Sequence, residues 1–143
     1  MKGDLLPDSD HVSRYCPPKT IDNGVILATA FMLKSGEEYL SVNWLESLKV
    51  SGRDAQLAEV RRCIRLKLGA TARLAVLNVG SSREYVRENS LDDHKILFIH
   101  EPITTRNAED ASHSGIFNTK SEDDALIAEL LTDSIEVHYP ARS

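Results

Sequence analysis

Side chains that could do acid–base or binding chemistry are concentrated in the first third of the sequence. They lie in residues 11–16 (HVSRYC) and 40–46 (LSVNWLE). An imidazole titrates near neutral pH, a guanidinium binds phosphate in bidentate fashion, and phenols and carboxylates orient a ligand. A small enzyme built from these segments would use as its catalytic residues His11, Arg14, Tyr15 and Glu46. In such an enzyme Arg14 would hold a phosphate and His11 would move a proton.

Strand geometry divides the first of these segments. Successive side chains of a strand point to opposite faces, so His11, Ser13 and Tyr15 share one face, whereas Arg14 and Cys16 share the other. One face alone therefore cannot hold all the candidates. An edge strand with a half-buried tyrosine and a solvated arginine is the structural alternative.

The second segment ends in an unusual Asn-Trp-Leu-Glu string at residues 43–46. Asn43 and Trp44 are candidate ligand-binding residues, because an amide beside a carboxylate can hold a hydroxyl or a cation. A buried indole N–H needs a hydrogen-bond acceptor, and Glu46 or Asn43 could supply it. Alternatively, Trp44 anchors the core and Glu46 caps a turn.

Residues 101–121 are polar and aperiodic, which predicts a long loop of the kind that often carries function. His113 and Ser114 in this segment are further ligand-binding candidates. No nucleophile-elbow pattern surrounds Ser114, so we expect the loop to bind rather than to catalyse. The predicted recognition surface combines the first-third strands with this loop.

The cysteines and glycines do not suggest a cofactor. The sequence names no base for Cys16, and His113 or His138 could serve only if the fold brings one of them to it, so Cys16 is interpreted as a small buried side chain. Neither Cys16 nor Cys63 fits a zinc spacing. Residues 78–82 (NVGSS) lack the glycines of a dinucleotide fingerprint and the lysine of a P-loop. We predict no metal and no cofactor.

Charge is unevenly distributed along the chain, although the net charge is −5. Residues 49–73 hold seven Lys and Arg against two acids, whereas residues 101–136 hold nine acids against two bases. A basic helix over residues 53–67 could contact nucleic acid through Arg61, Arg62 and Arg65. A pI near 5.5 and 6% aromatic residues are not typical of nucleic-acid-binding proteins, so an acidic protein surface is an equal alternative. The acidic segment could also simply face the basic helix.

The elements that must position these residues follow from periodicity and turn residues. The 143 residues suit one domain, with residues 1–9 as a loose N-terminal arm and residues 10–143 as a single α+β domain. The predicted strands cover residues 10–16, 25–33, 39–45, 71–79, 95–100 and 135–139. The first predicted helix covers residues 53–67, with Ser51 as its cap and Gly69 as its stop. A short helix capped by Ser81 ends near Asn89, and a last helix is capped by Ser121. Residues 71–100 could form a tight βαβ crossover or an antiparallel return.

Residues 10–16 (DHVSRYC), 40–46 and 136–141 (EVHYPA) together resemble segments of a group of small, uncharacterised bacterial proteins. The resemblance implies a bacterial cytosolic origin and says nothing about reaction or ligand. No segment is long and apolar enough to suggest a membrane span or a signal peptide, which predicts a cytoplasmic protein without a membrane partner.

The sequence therefore predicts an α+β domain with a mixed or mainly antiparallel sheet, two main helices and one short helix. The favoured function is a non-enzymatic binding or accessory protein with a protein partner or ligand. Its alternatives are a small nucleotide- or nucleic-acid-directed transferase or hydrolase, and nucleic-acid binding through the basic helix. Oligomeric state does not follow from the sequence.

Overall fold

A six-stranded antiparallel sheet organises the protein. The computed structural model describes residues 2–64, 67–121 and 123–142. In chain order the strands are β1 (His11–Cys16), β2 (Ile21–Asp22), β3 (Val25–Ile26), β4 (Leu40–Trp44), β5 (Arg73–Asn78), β6 (Leu97–His100), β7 (His113–Phe117) and β8 (Ile135–Pro140). The helices are α1 (Arg53–Cys63), α2 (Val79–Asn89) and α3 (Asp124–Asp133), and short 3-10 helices cover Pro18–Thr20, Ala28–Phe31 and Leu45–Leu48. The main sheet has the order β6-β7-β4-β1-β5-β8, and β2 pairs with β3 in a separate hairpin. The predicted α+β class with a mainly antiparallel sheet is confirmed.

The two faces of the sheet carry different helices. Val12 and Leu77 are register partners and belong to the apolar cluster that includes the buried residues of α2 and α3. Leu74 and Val76 point the opposite way and pack with Leu57 of α1. We call these surfaces the α2–α3 face and the α1 face. α3, which carries three of the nine acidic residues of the 101–136 segment, lies on the opposite face from α1 and does not cover the basic helix.

The helix termini differ from the predicted ones. α1 begins after Gly52, whose φ of 89° suits glycine, and Ser51 does not cap it. It ends at Cys63 rather than at Gly69, because Ile64 is extended and packs with the α1-face cluster. α2 has 11 residues and begins at Val79, two residues before the predicted start at Ser81.

Two side-chain caps also differ from the predicted ones. The side chain of Asn78 caps α2 by accepting from the Ser81 amide at 2.8 Å. Asp123, rather than Ser121, caps α3 by accepting from the Leu126 amide at 3.0 Å. In each helix the capping residue precedes the first helical turn and takes up one of its free amides.

Two segments have a different structure from the predicted one. The predicted strand over residues 25–33 is only β3 followed by the 3-10 helix Ala28–Phe31, because an apolar run does not by itself separate a strand from a buried helical turn. The predicted loop over residues 101–121 contains β7, which lies between β4 and β6. In addition, β5 and β6 are not neighbours, so no βαβ crossover joins them.

The N-terminal segment is fixed along the edge of β6. The amide of Gly3 donates to the His100 carbonyl at 2.7 Å, and the amide of Leu6 donates to the Phe98 carbonyl at 2.9 Å. The Leu6 side chain is 4% exposed and belongs to the apolar core. The segment predicted to be a loose arm therefore protects a sheet edge.

Among the helices in these ranges, none is long and apolar enough to cross a membrane.

Candidate functional site

The candidate site begins where β1 and β4 separate. The two strands pair only at Val12 with Trp44 and at Ser13 with Asn43. Beyond that point β1 continues to pair with β5 as far as Cys16, and β4 continues to pair with β7 as far as Leu40. The separation leaves backbone groups of both strands without their usual partners and opens a gap in the middle of the sheet.

Arg14 fills this gap. Its Nη1 donates to the Ser41 carbonyl at 2.8 Å and its Nε donates to the Ala30 carbonyl at 3.0 Å. The guanidinium thus takes the place of part of the missing ladder. It lines a cavity to which both faces contribute, with Ala30 from the α2–α3 cluster and Ile64 from the α1 cluster. Burial lowers the pKa of Arg14, and the nearby charge of Glu37 partly opposes this shift.

No ion pair stabilises the Arg14 guanidinium within the described part of the chain. No carboxylate of these residues lies within 4.0 Å of it, and Glu37 acts on it only from a greater distance. Two of its five N–H donors are engaged by the two carbonyls. A largely buried cation with free donors is a site where an anion can be held.

A buried polar network forms one end of the cavity. Nδ2 of Asn43 donates to Oδ2 of Asp110 and to Oγ of Ser112, each at 2.8 Å. The Ser112 hydroxyl and amide in turn donate to Oδ1 of Asp110 at 2.7 and 3.1 Å. A bridge between Ile103 and Asp110 holds this turn in place. Asn43 therefore positions the turn and has only its amide oxygen left for a ligand.

His113 lies on β7 beside the network. Its Nδ1 is 2.7 Å from the Glu101 carbonyl, and its Nε2 is 3.2 Å from Oγ of Ser41. Asn43 is the register partner of His113, and Ser41 is the register partner of Gly115, so all four residues share the α1 face. Ser41 is exposed, whereas His113 is only 9% exposed.

The opposite wall comes from Tyr15 and the end of α1. The Tyr15 hydroxyl donates to the Lys67 carbonyl at 3.4 Å and accepts from the Gly69 amide at 3.1 Å, so it ties the segment after α1 to β1. Cys63 and Ile64 follow on this wall. Burial raises the pKa of the Cys63 thiol, and the negative charge of Asp110 raises it further.

Together these elements enclose a cavity of about 500 Å³. Its rim carries Lys19, Lys34 and Glu37, and its apolar surface includes Met32 and Ile64. The remaining lining residues are Arg14, Tyr15, Pro17, Thr20, Thr29, Ala30, Ser41, Asn43, Cys63, Ile103, Asp110 and His113. The volume is within the range of ligand pockets, which is roughly 300–1,000 Å³.

The structure brings together four of the site residues named from the sequence and separates the rest. Arg14, Tyr15, Asn43 and His113 line the cavity. The first two come from the predicted catalytic set and the last two from the predicted ligand-binding set. The cavity joins the first-third strands to the 101–121 segment.

His11 and Glu46 lie apart from this cavity and contact each other. Nδ1 of His11 is 2.7 Å from Oε2 of Glu46, and the His11 amide donates to Oε1 of the same carboxylate at 2.7 Å. Glu136 approaches the other ring nitrogen at 3.4 Å. The predicted catalytic set of His11, Arg14, Tyr15 and Glu46 is therefore split between two places.

Trp44 and Ser114 have structural contacts rather than positions in the cavity. The Trp44 indole N–H donates to Asp10 at 2.8 Å, so the predicted acceptors Glu46 and Asn43 are wrong. Ser114 is fully buried on the α2–α3 face and donates to the Ser112 carbonyl at 3.2 Å.

The arginines of α1 are engaged in local contacts. Arg61 donates to the carbonyls of Pro140 and Ala141 at 2.8 and 2.9 Å, which fixes the end of β8. Arg62 is exposed and pairs with Glu59. Arg65, the third member of the predicted nucleic-acid-binding set, lies outside the described residues.

Sequence reasoning missed the roles of Ser41 and Asp110. Period two did place Ser41 on the same face as Asn43, but its partner His113 is 72 residues away, and the pairing of β4 with β7 has no local signal. Asp110 was counted only as one charge of the acidic segment. Across residues 2–64, 67–121 and 123–142, no three histidine, cysteine or acidic side chains form a cluster suited to a metal.

Comparisons with protein-family models, with curated proteins and with solved structures found no match for the chain.

Proposed function

We propose that this protein binds a small organic anion in the cavity between β1 and β4. The observation that carries the proposal is Arg14, a largely buried guanidinium on the cavity wall with no carboxylate of the described chain within 4.0 Å. A buried charge is costly unless it is paired, and the unused N–H donors of Arg14 can pair with a carboxylate or a phosphate. Lys19 and Lys34 at the rim add positive charge on the path to it.

The rest of the lining suits the organic part of such a ligand. Tyr15, Met32, Ile64 and Ile103 offer apolar surface, and the Asn43 amide oxygen can accept a hydrogen bond. About 500 Å³ is more than a bare inorganic anion needs. The ligand class is therefore a carboxylated or phosphorylated organic molecule, up to about the size of a nucleotide.

Isothermal titration with AMP, adenosine, benzoate and inorganic phosphate tests this proposal. AMP or benzoate should bind more tightly than adenosine, and inorganic phosphate should bind weakly, because both the charge and the organic part contribute. The ratio of AMP to benzoate affinity separates a phosphate site from a carboxylate site. In Arg14→Lys, which keeps the charge but loses the planar fork, affinity for the preferred anion should fall by about tenfold or more.

If Arg14→Lys does not fold, Lys34→Glu tests the same binding site with a second variant. Lys34 is exposed on the rim, so its reversal should weaken binding without disturbing the core. Lys49→Glu is the matched control, since Lys49 is an equally exposed turn lysine that does not line the cavity. The proposal would be overturned if neither AMP nor benzoate bound more tightly than adenosine, if binding of the preferred anion were unchanged in folded Arg14→Lys, or if no probe bound.

A further inference from the structure

Ser41 and His113 lie in the hydrogen-bonded arrangement that a nucleophile and its general base require. A carbonyl oxygen only accepts, so the 2.7 Å contact with the Glu101 carbonyl places the ring proton of His113 on Nδ1. The unprotonated Nε2 then faces Oγ of Ser41 at 3.2 Å, and the serine hydroxyl donates to it. This tautomer is the one that can remove a proton from serine.

Neighbouring side chains fix the orientation of the His113 ring. The Tyr39 ring lies edge-on to it, with centroids 5.9 Å apart, and stacks on Phe117 at 4.6 Å. Tyr39 can lie there because Gly115 has no side chain, since a Cβ at that position would be 2.4 Å from the Tyr39 ring. Tyr39 and Gly115 are therefore positioning residues for the imidazole.

The nucleophile must be open to a ligand and its base shielded from water, and Ser41 and His113 differ in exposure in this way. Ser41 is exposed to the cavity, so its hydroxyl can meet a ligand, whereas His113 is 9% exposed and shielded from bulk water. Arg14 donates to the backbone carbonyl of Ser41 at 2.8 Å, so the cation contacts the same residue that carries the hydroxyl. An anionic molecule held by Arg14 would present its adjoining atoms to Ser41.

We propose that Ser41 is the nucleophile of an acyl-transfer reaction on anionic esters, with His113 as its general base. Oγ of Ser41 attacks the ester carbonyl carbon, and its proton passes to Nε2 of His113. The bond to the leaving alcohol breaks, and the imidazolium returns the proton to the alkoxide. Water, deprotonated by His113, then attacks the acyl-serine, which releases a carboxylic acid and restores the Ser41 hydroxyl. This inference rests on the proposed anion site.

A fluorophosphonate probe tests the nucleophile independently of any natural substrate. Attack by Ser41 forms a phosphorus–oxygen bond and releases fluoride, and mass spectrometry locates the label. We expect the label on Ser41, no label in Ser41→Ala, and labelling slowed about a hundredfold in His113→Gln. The matched control is Ser81→Ala, because Ser81 is an exposed serine on α2 outside the cavity.

Hydrolysis of mono-p-nitrophenyl terephthalate, whose carboxylate cannot reach its own ester, compared with neutral p-nitrophenyl benzoate, tests the substrate class. The anionic ester should be the better substrate, and Ser41→Ala should reduce its hydrolysis to the uncatalysed rate. Titration of Ser41→Ala with the anion preferred by the wild type checks that the cavity is intact. If that anion binds but no serine is labelled, the nucleophile proposal is wrong and the binding proposal survives. Label on a serine other than Ser41, or hydrolysis unchanged in Ser41→Ala, also overturns it.

Discussion

His11 and Arg14 lie three residues apart on β1 but have different structural roles. His11 holds the Glu46 carboxylate through both its amide and its ring, so it fastens the turn after β4 to the start of β1. Arg14 replaces missing strand pairing and lines the cavity. What each side chain contacts depends on where the ladder between β1 and β4 ends as much as on strand alternation.

Cys63 gives a residue-level prediction about pH. Burial and the charge of Asp110 raise its pKa, so at a given pH the folded protein carries less thiolate than an ordinary cysteine. The pH midpoint of Cys63 alkylation by iodoacetamide, followed by mass spectrometry, should therefore lie above that of the same cysteine in urea. The preferred anion, once bound, should slow the reaction, because Cys63 lines the cavity.

Cys16 is the internal control for this measurement. It is fully buried, and burial raises its pKa to about 11. It should stay unmodified in the folded protein and react only in urea. A folded Cys63 that titrates like the unfolded one would show that neither burial nor Asp110 acts on it.

Among the secondary-structure elements, α1 and β8 are joined by an arginine. Arg61 donates to the carbonyls of Pro140, the last residue of β8, and of Ala141, which follows it. Replacing it with methionine keeps the packing of the stem but leaves those acceptors unpaired. Arg61→Met should therefore lower the free energy of unfolding by about 1–3 kcal/mol, measured by urea denaturation.

Arg62→Met is the matched control on the same helix. Arg62 is exposed, and exposed ion pairs such as its pair with Glu59 contribute little, so the change should stay within about 0.5 kcal/mol. Equal effects of the two substitutions would contradict a structural role for Arg61. Heparin retention of both variants would show separately whether α1 contacts polyanions.

Strong local periodicity made most of the elements predictable. Six of the eight strands and all three helices overlap predicted segments, because alternating or helical apolar patterns reflect which side of an element is buried. β7 was missed because His113, Ser114 and Gly115 are residues typical of loops, and only pairing with β4 and β6 makes them a strand. The end of α1 was missed because Ile64 packs in an extended conformation that the helical spacing does not reveal.

The candidate site was predictable in part. Residue type alone made four of the lining residues candidates, namely Arg14, Tyr15, Asn43 and His113. Their convergence depends on contacts between distant segments, so the sequence could not distinguish them from His11 and Glu46, which pair elsewhere.

For the whole molecule, the N-terminal segment covers the β6 edge of the main sheet, which its removal would expose. Leu6 is 4% exposed and its backbone pairs with β6. Leu6→Ala should lower the free energy of unfolding by about 2–5 kcal/mol, as expected for truncation of a buried leucine. Urea denaturation measures the loss, and light scattering detects the self-association expected when a sheet edge is uncovered.

The adjacent leucine provides the control. Leu5 is 61% exposed, so Leu5→Ala should change stability by no more than about 0.5 kcal/mol. A small effect of Leu6→Ala, or equal effects at both positions, would mean that the segment contributes nothing to the core.

The strand order also determines when the cavity can exist during folding. Within the main sheet, as far as the structure describes the chain, only β6 and β7 are both sheet neighbours and consecutive strands. The ladders of β1 with β5 and of β4 with β7 join strands that are far apart in the sequence. Large loops must therefore close before either ladder forms. Ser41 meets His113 only after that closure. The return of ligand binding after dilution from urea should therefore lag behind the recovery of helix signal and report completion of the sheet.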